Sequence, residues 1–154
     1  MVLSSHTALG TAIGSVVTNP FWGFVVGIIS HHLVDIIPHT DVGSYDGSVH
    51  NLFKERKILI FFIVDVFLTL LILLVSLKLS NDLFILSAVA GSVLPDVIDN
   101  SPLWSPYLRK KFPFNYYHFF HEKFHCTIIE RCYLWLGYLT QVLIIVASLY
   151  LVVK

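Results

Sequence analysis

Charge is what this sequence has least of. Ten acids and ten bases make up 13% of its 154 residues, and the net charge is zero. A chain this neutral carries no basic footprint for nucleic acid. Its two cysteines, Cys126 and Cys132, are too few for a disulfide framework and read as free thiols near a membrane boundary. No Ser/Gly/Pro-rich linker or low-complexity block divides it, so residues 1–154 are expected to form a single domain. The segment from Met1 to His6 lacks the basic n-region of a signal peptide, so the first apolar segment is expected to stay in the mature chain.

What the sequence has instead is apolar bulk and imidazole. Hydrophobic residues make up 56% of it, with a mean hydropathy of +0.76, well above the usual ~45–50% of soluble domains. The expected fold is all-α, a polytopic membrane bundle of about five spans with a short amphipathic interfacial helix that carries His residues. Ser4 or Ser5 can cap a first helix to about Val17, and Thr18-Asn19-Pro20 starts a second that Pro38 ends. Lys57–Leu77 is the clearest span, Ser80-Asn81-Asp82 turns into a fourth helix ending at Asp99, and Cys132–Val153 is the last. Between the last two, a loop with Trp104, Tyr107 and Arg109-Lys110-Lys111 reads as interfacial, and Tyr116 to about Cys126 as the amphipathic helix.

The fourth helix ends in Leu94-Pro95-Asp96-Val97-Ile98-Asp99, two carboxylates one turn apart where the helix already carries partial negative charge. Bare acids beside hydrocarbon are costly, so they ask to be wet, paired or bound to a cation. If successive spans alternate direction, this end shares a face with His6, with His31 and Asp35 at the end of the second helix, and with the segment His118–His125. Most of the Lys and Arg fall on that same face, which makes it cytoplasmic by the positive-inside bias. The expected location is therefore the cytoplasmic (inner) membrane, with the N-terminus and the site facing the cytoplasm.

Several of these residues have plainer explanations. His118, His121 and His125 fall on one helical stripe, which presents imidazoles to a metal or merely forms a polar interfacial face. His31 and Asp35 are four apart and can share a metal or satisfy each other. His39, Asp41 and His50 read as solvated loop residues, although His39-Thr40-Asp41 follows the second helix closely enough to approach the site. Asp65 interrupts a span, either hydrogen-bonded to a neighbouring helix or part of a conduction path. His121-Glu122-Lys123-Phe124-His125 also matches the His-Glu-x-x-His pattern of zinc peptidases, in which Glu acts as general base.

His6-Thr-Ala-Leu-Gly10, Leu94-Pro95-Asp96-Val-Ile-Asp99 and the downstream pair His121 and His125 together resemble the bacterial membrane-bound metal-dependent hydrolases, the YdjM-like inner-membrane family. The resemblance covers most of the chain as an ordered series of short motifs. Where that family usually carries a His-Arg-x-x-Thr-His-Ser segment, this chain has His121-Glu-Lys-Phe-His125-Cys126, one residue shorter in spacing. The resemblance implies a divalent-metal site, hydrolytic, acting on a phosphoester or lipid.

The expected metal ligands are His6, His31, Asp35, Asp96, Asp99, His121 and His125, with Glu122 and His118 as proton-transfer groups. Mixed imidazole and carboxylate donors suit Zn²⁺, with Mn²⁺ or Fe²⁺ as alternatives, as one or two ions. Bound metal would polarise a substrate oxygen and lower the pKa of water. The competing functions are a peptidase of the His-Glu-x-x-His type and a non-catalytic metal-binding protein or transporter, the latter motivated by Asp65.

Overall fold

The computed structural model describes residues 1–45, 54–79 and 82–154, which are all-helical with no strand among them. Asp46, Gly47, His50, Ser80 and Asn81 lie outside the described residues. Helix α1 is Leu3–Val16 and α2 is Pro20–Asp35. Asn19 caps α2 by accepting from the Trp22 N–H at 3.1 Å, and Pro20 begins the helix, where its missing N–H does no harm. The remaining helices are α3 (Arg56–Leu77), α4 (Asp82–Asp99), the short α5 (Ser105–Leu108), α6 (Phe114–Phe124) and α7 (Leu134–Val153).

Only two helical stretches among the described residues, Arg56–Leu77 and Arg131–Val153, are long and apolar enough to cross a membrane. The expectation of about five spans is reduced accordingly, and helix length is the reason. At a rise of ~1.5 Å per residue, the 14 residues of α1 and 16 of α2 reach only about 21 and 24 Å, short of a hydrocarbon core of ~30 Å. The 22 residues of α3 reach about 33 Å.

The short helices pack on one another through small residues. α4 lies against both α1 and α2, and α1 also touches α3 and α7. A Cβ added at Gly14 would sit 2.5 Å from the Ile85 Cα, and one at Gly91 would strike the Phe24 carbonyl. At both points backbone meets backbone, the close approach that small residues permit between helices in membranes. This contact aligns the C-terminal ends of α2 and α4, and with them Asp35 and Asp96.

Asp65 proves to be a cap. From α3 it accepts the Leu3 N–H at 2.8 Å and the Ser4 N–H at 2.9 Å, two donors of the first turn of α1 that no intrahelical bond can satisfy. Gln141 of α7 takes the preceding Val2 N–H at 3.1 Å and donates to the Thr40 carbonyl at 2.7 Å. The start of α1 is thus pinned by polar groups from both long helices.

Two loops close the lower end of the bundle. The segment after α2 pairs with the segment after α6, with Cys126 N–H donating to Asp35 O at 2.8 Å, His39 N–H to Cys126 O at 3.1 Å and Ile128 N–H to His39 O at 2.8 Å. Arg109 folds back beneath α4, donating from Nη2 to the Asp99 carbonyl at 2.6 Å and from Nε to the Asp99 carboxylate at 3.1 Å. A guanidinium at a helix C-terminus satisfies free carbonyls and complements the macrodipole.

Candidate metal centre

Four side chains from three helices converge on a buried point: His31 and Asp35 from the last turns of α2, Asp96 from α4 and His121 from α6. His31 Nε2 lies 3.2 Å from His121 Nε2 and 3.2 Å from Asp35 Oδ2, and His121 Nε2 lies 3.4 Å from Asp35 Oδ2. Asp96 Oδ1 is 3.7 Å from His121 Nε2 and 4.0 Å from His31 Nε2. A tetrahedral ion with bonds of ~2.0–2.2 Å sets its ligand atoms about 3.3–3.6 Å apart. The cluster has nearly that spacing.

Hydrogen-bond partners decide which imidazole nitrogens face the point. His31 Nδ1 lies 2.9 Å from the Ser92 carbonyl, and His121 Nδ1 lies 2.9 Å from Asp99 Oδ2. Both partners are acceptors, so each Nδ1 carries the hydrogen and, in the neutral ring, each Nε2 offers a lone pair. With both rings neutral, two imidazole lone pairs meet two carboxylates, of which Asp96 Oδ1 accepts from Asn100 Nδ2 at 2.8 Å and Asp35 Oδ1 from the Met1 ammonium at 2.9 Å, and such a donor set draws a further cation. The residues fit a divalent metal on this ground. His6 adds to the case: its ring is fully buried and stacked on His31 at 4.1 Å, and neither ring nitrogen makes a hydrogen bond. His6 Nε2 approaches Asp35 Oδ1 at 3.2 Å and Asp96 Oδ2 at 3.5 Å.

Asp99 stands apart from these ligands. Its carboxylate takes His121 Nδ1 at 2.9 Å, His118 Nδ1 at 3.0 Å and Arg109 Nε at 3.1 Å. Arg109 supplies one cation to this acid, and Asp99 also groups with His118 and Glu122, three residues that could hold an ion of their own. Its place behind His121 is that of the outer carboxylate which fixes the tautomer and orientation of a metal-ligating imidazole. His118 belongs with Asp99, while Glu122 is exposed on the wall of an adjoining cavity.

His125 also departs from its expected partner. α6 ends at Phe124, and His125 has extended backbone, φ −88° and ψ 112°, so His121 and His125 are not successive turns of one helix. Their Nε2 atoms meet different imidazoles, His121 facing His31 and His125 facing His39, each at 3.2 Å, although Asp35 Oδ2 lies within 3.7 Å of both. The zinc-peptidase pattern requires both on one helix face toward one ion, and this chain does not hold them so.

His39 and Asp41, read from the sequence as solvated, are part of this arrangement. His39 is fully buried because the pairing of its backbone with residues 126 and 128 carries it under the bundle. The signal in the sequence was their place immediately after Pro38, on the same short connection as Asp35.

Comparison with family models, curated proteins and solved structures found no match.

Two of the imidazoles titrate in opposite senses. Burial and the adjacent Met1 ammonium hold the His125 imidazole down to about 3, neutral at physiological pH. For His121, burial works against the charged ring, but hydrogen bonds to Asp35 and Asp99 outweigh it and push it up to about 9. A proton on Nε2 is thus the metal's competitor below that pH. Metal binding is expected to release about one proton from His121 and to tighten about tenfold per pH unit between pH 6 and 8. Calorimetric titration in two buffers of different ionisation enthalpy measures this; buffer-independent heats would exclude it.

Proposed function

We propose that this chain is an integral membrane metal-dependent hydrolase acting on a lipid or other phosphoester. The observation that carries the reading is the convergence of His31 Nε2, His121 Nε2, Asp35 and Asp96 on one buried point. A cavity of about 490 Å³ adjoins it, with Asp96, Glu122 and Arg109 among its lining residues. Phe61, Phe62, Trp104 and Ile129 also line it, a wall that suits a substrate with an apolar part.

Membrane residence is supported by the two long apolar helices and by their exposed surfaces, which include Ile63, Phe67 and Leu74 on α3 and Val142, Val146 and Leu151 on α7. We read both as lipid-facing spans, with α1, α2 and α4 as shorter segments buried against them. In keeping with the sequence-based expectation, the membrane is the cytoplasmic one and the centre opens to its inner face.

His31, Asp35, Asp96 and His121 hold the ion, and His6 completes the set from α1. When bound, a divalent metal supplies Lewis acidity toward a phosphoryl oxygen and toward water. The chain's own residues then do the rest. Asp99 fixes the His121 ring, Arg109 and His118 fix Asp99, and Glu122 on the cavity wall accepts a proton from the attacking water. Water adds to phosphorus, the ester P–O bond breaks, and the alcohol leaves with a proton returned from Glu122.

The test is hydrolysis of a panel of phosphomonoesters, phosphodiesters and phospholipids by detergent-purified protein before and after chelation. Activity on at least one member is expected, lost with chelator and restored by Zn²⁺ or Mn²⁺. Protein that binds no metal by elemental analysis, even after reconstitution, ends the hydrolase reading.

A further inference from the structure

Beside the first cluster lies a second one that the proposed hydrolysis does not use. His39 Nε2 and His125 Nε2 are 3.2 Å apart, and Asp41 Oδ2 is 3.5 Å from each. Their other ring nitrogens are committed. His39 Nδ1 is 2.8 Å from the Ile37 carbonyl, an acceptor, so it carries the hydrogen. Thr127 Oγ1 donates to Asp41 Oδ2 at 3.0 Å, so it accepts from His125 Nδ1, also at 3.0 Å. The His39 Nε2 lone pair faces His125 and Asp41, and the His125 Nε2 lone pair faces His39, Asp41 and the Met1 amino nitrogen at 3.0 Å.

We propose that His39, Asp41 and His125 form a second divalent-metal site, joined to the first through the Asp35 carboxylate. Asp35 Oδ2 reaches His125 Nε2 at 3.7 Å, while the same oxygen lies 3.2 Å from His31 Nε2 and 3.4 Å from His121 Nε2. This ligand atom is within reach of both clusters. These spacings, 3.2–3.7 Å, lie near the ~3.3–3.6 Å between ligand atoms of a four-coordinate ion. The Met1 amino nitrogen approaches the same place, 3.0 Å from His125 Nε2 and 2.9 Å from Asp35 Oδ1. As an ammonium it donates to both in the metal-free chain, and an ion bound to His125 Nε2 takes the place of that hydrogen bond.

Asp35, Asp41 and Asp96 bring three negative charges to adjoining points, with the Met1 ammonium against Asp35 and Asp99 paired separately with Arg109. Paired ions suit phosphoester cleavage, since they clamp the attacking and leaving oxygens from two sides. Asp41 and His125 line the same cavity as Asp96, so one substrate can face both sites. This inference rests on the hydrolase reading for its chemistry, but not for its test.

The experiment is Mn²⁺ loading of the detergent-solubilised full chain, followed by electron paramagnetic resonance and elemental analysis. Saturated wild type is expected to hold two ions per chain with an exchange-coupled spectrum. His39→Ala combined with Asp41→Asn is expected to hold one, with an uncoupled six-line spectrum. Wild type that saturates at one uncoupled ion overturns the second site and leaves the hydrolase proposal standing. Wild type that binds no Mn²⁺ and no Zn²⁺ overturns both. A double variant that still holds two coupled ions places the second ion elsewhere and overturns the assignment. Because the wild-type spectrum decides the matter by itself, a variant that fails to fold does not obscure the answer.

Discussion

Asp35→Asn is expected to strip metal from the purified protein, with affinity falling by more than about 100-fold. That exceeds the ~10–100-fold typical of losing a partner that only orients a ligand. The reason is the position of the Asp35 oxygens, which lie 3.2 Å from His31 Nε2, 3.4 Å from His121 Nε2 and 3.2 Å from His6 Nε2. An amide in the same shape loses the charge and turns an N–H₂ toward lone pairs. Asp99→Asn provides the contrast. Asp99 touches His121 through Nδ1 and not Nε2, so its replacement is expected to weaken binding only within the ~10–100-fold range. Equilibrium dialysis against buffered Zn²⁺ with elemental analysis measures both. If Asp35→Asn retains wild-type metal content, the convergence at α2, α4 and α6 is not a metal centre.

Asp65→Leu in α3 is expected to destabilise the fold strongly. Asp65 satisfies the Leu3 and Ser4 N–H groups, and leaving buried donors unpaired costs about 1–3 kcal/mol each. The sum, roughly 2–6 kcal/mol, is a large share of the ~5–15 kcal/mol by which folded proteins are stable. Asp65→Asn keeps an acceptor and should lose about 1–2 kcal/mol, with metal content unchanged. Unfolding in mixed micelles gives the stabilities. The same pair of variants addresses the transporter alternative, since a conduction role predicts that Asp65→Asn folds normally yet loses metal uptake into proteoliposomes. The two N–H groups that Asp65 accepts give it a structural occupation already.

The all-helical fold was legible because apolar runs broken by Asn19-Pro20 and Pro38 leave the backbone no other economical form. The number of crossings was not, because composition cannot say how long a helix is once α1 and α2 stop at 14 and 16 residues. Asp35, Asp96, His31 and His121 stood out as imidazoles and acids at apolar helix ends, and the structure brings them together. Asp99 looked equivalent to Asp96 in sequence, one turn further on. Arg109 separates them, and its return beneath α4 is a loop conformation that no periodicity encodes.

His39 and Asp41 show the same boundary from the other side. Their residue types announce ligands, yet in the loop four and six positions after Asp35 they read as solvated until residues 126 and 128 pair with the His39 backbone. By itself the sequence determined that acids and imidazoles too costly to leave bare would gather at the ends of apolar helices. Only the tertiary structure decided which nitrogen of each ring faces which oxygen, because that choice belongs to partners such as the Ser92 carbonyl, Asp99, the Ile37 carbonyl and Thr127. Those partners lie on other segments or in turns, where spacing along the chain carries no information about distance in space.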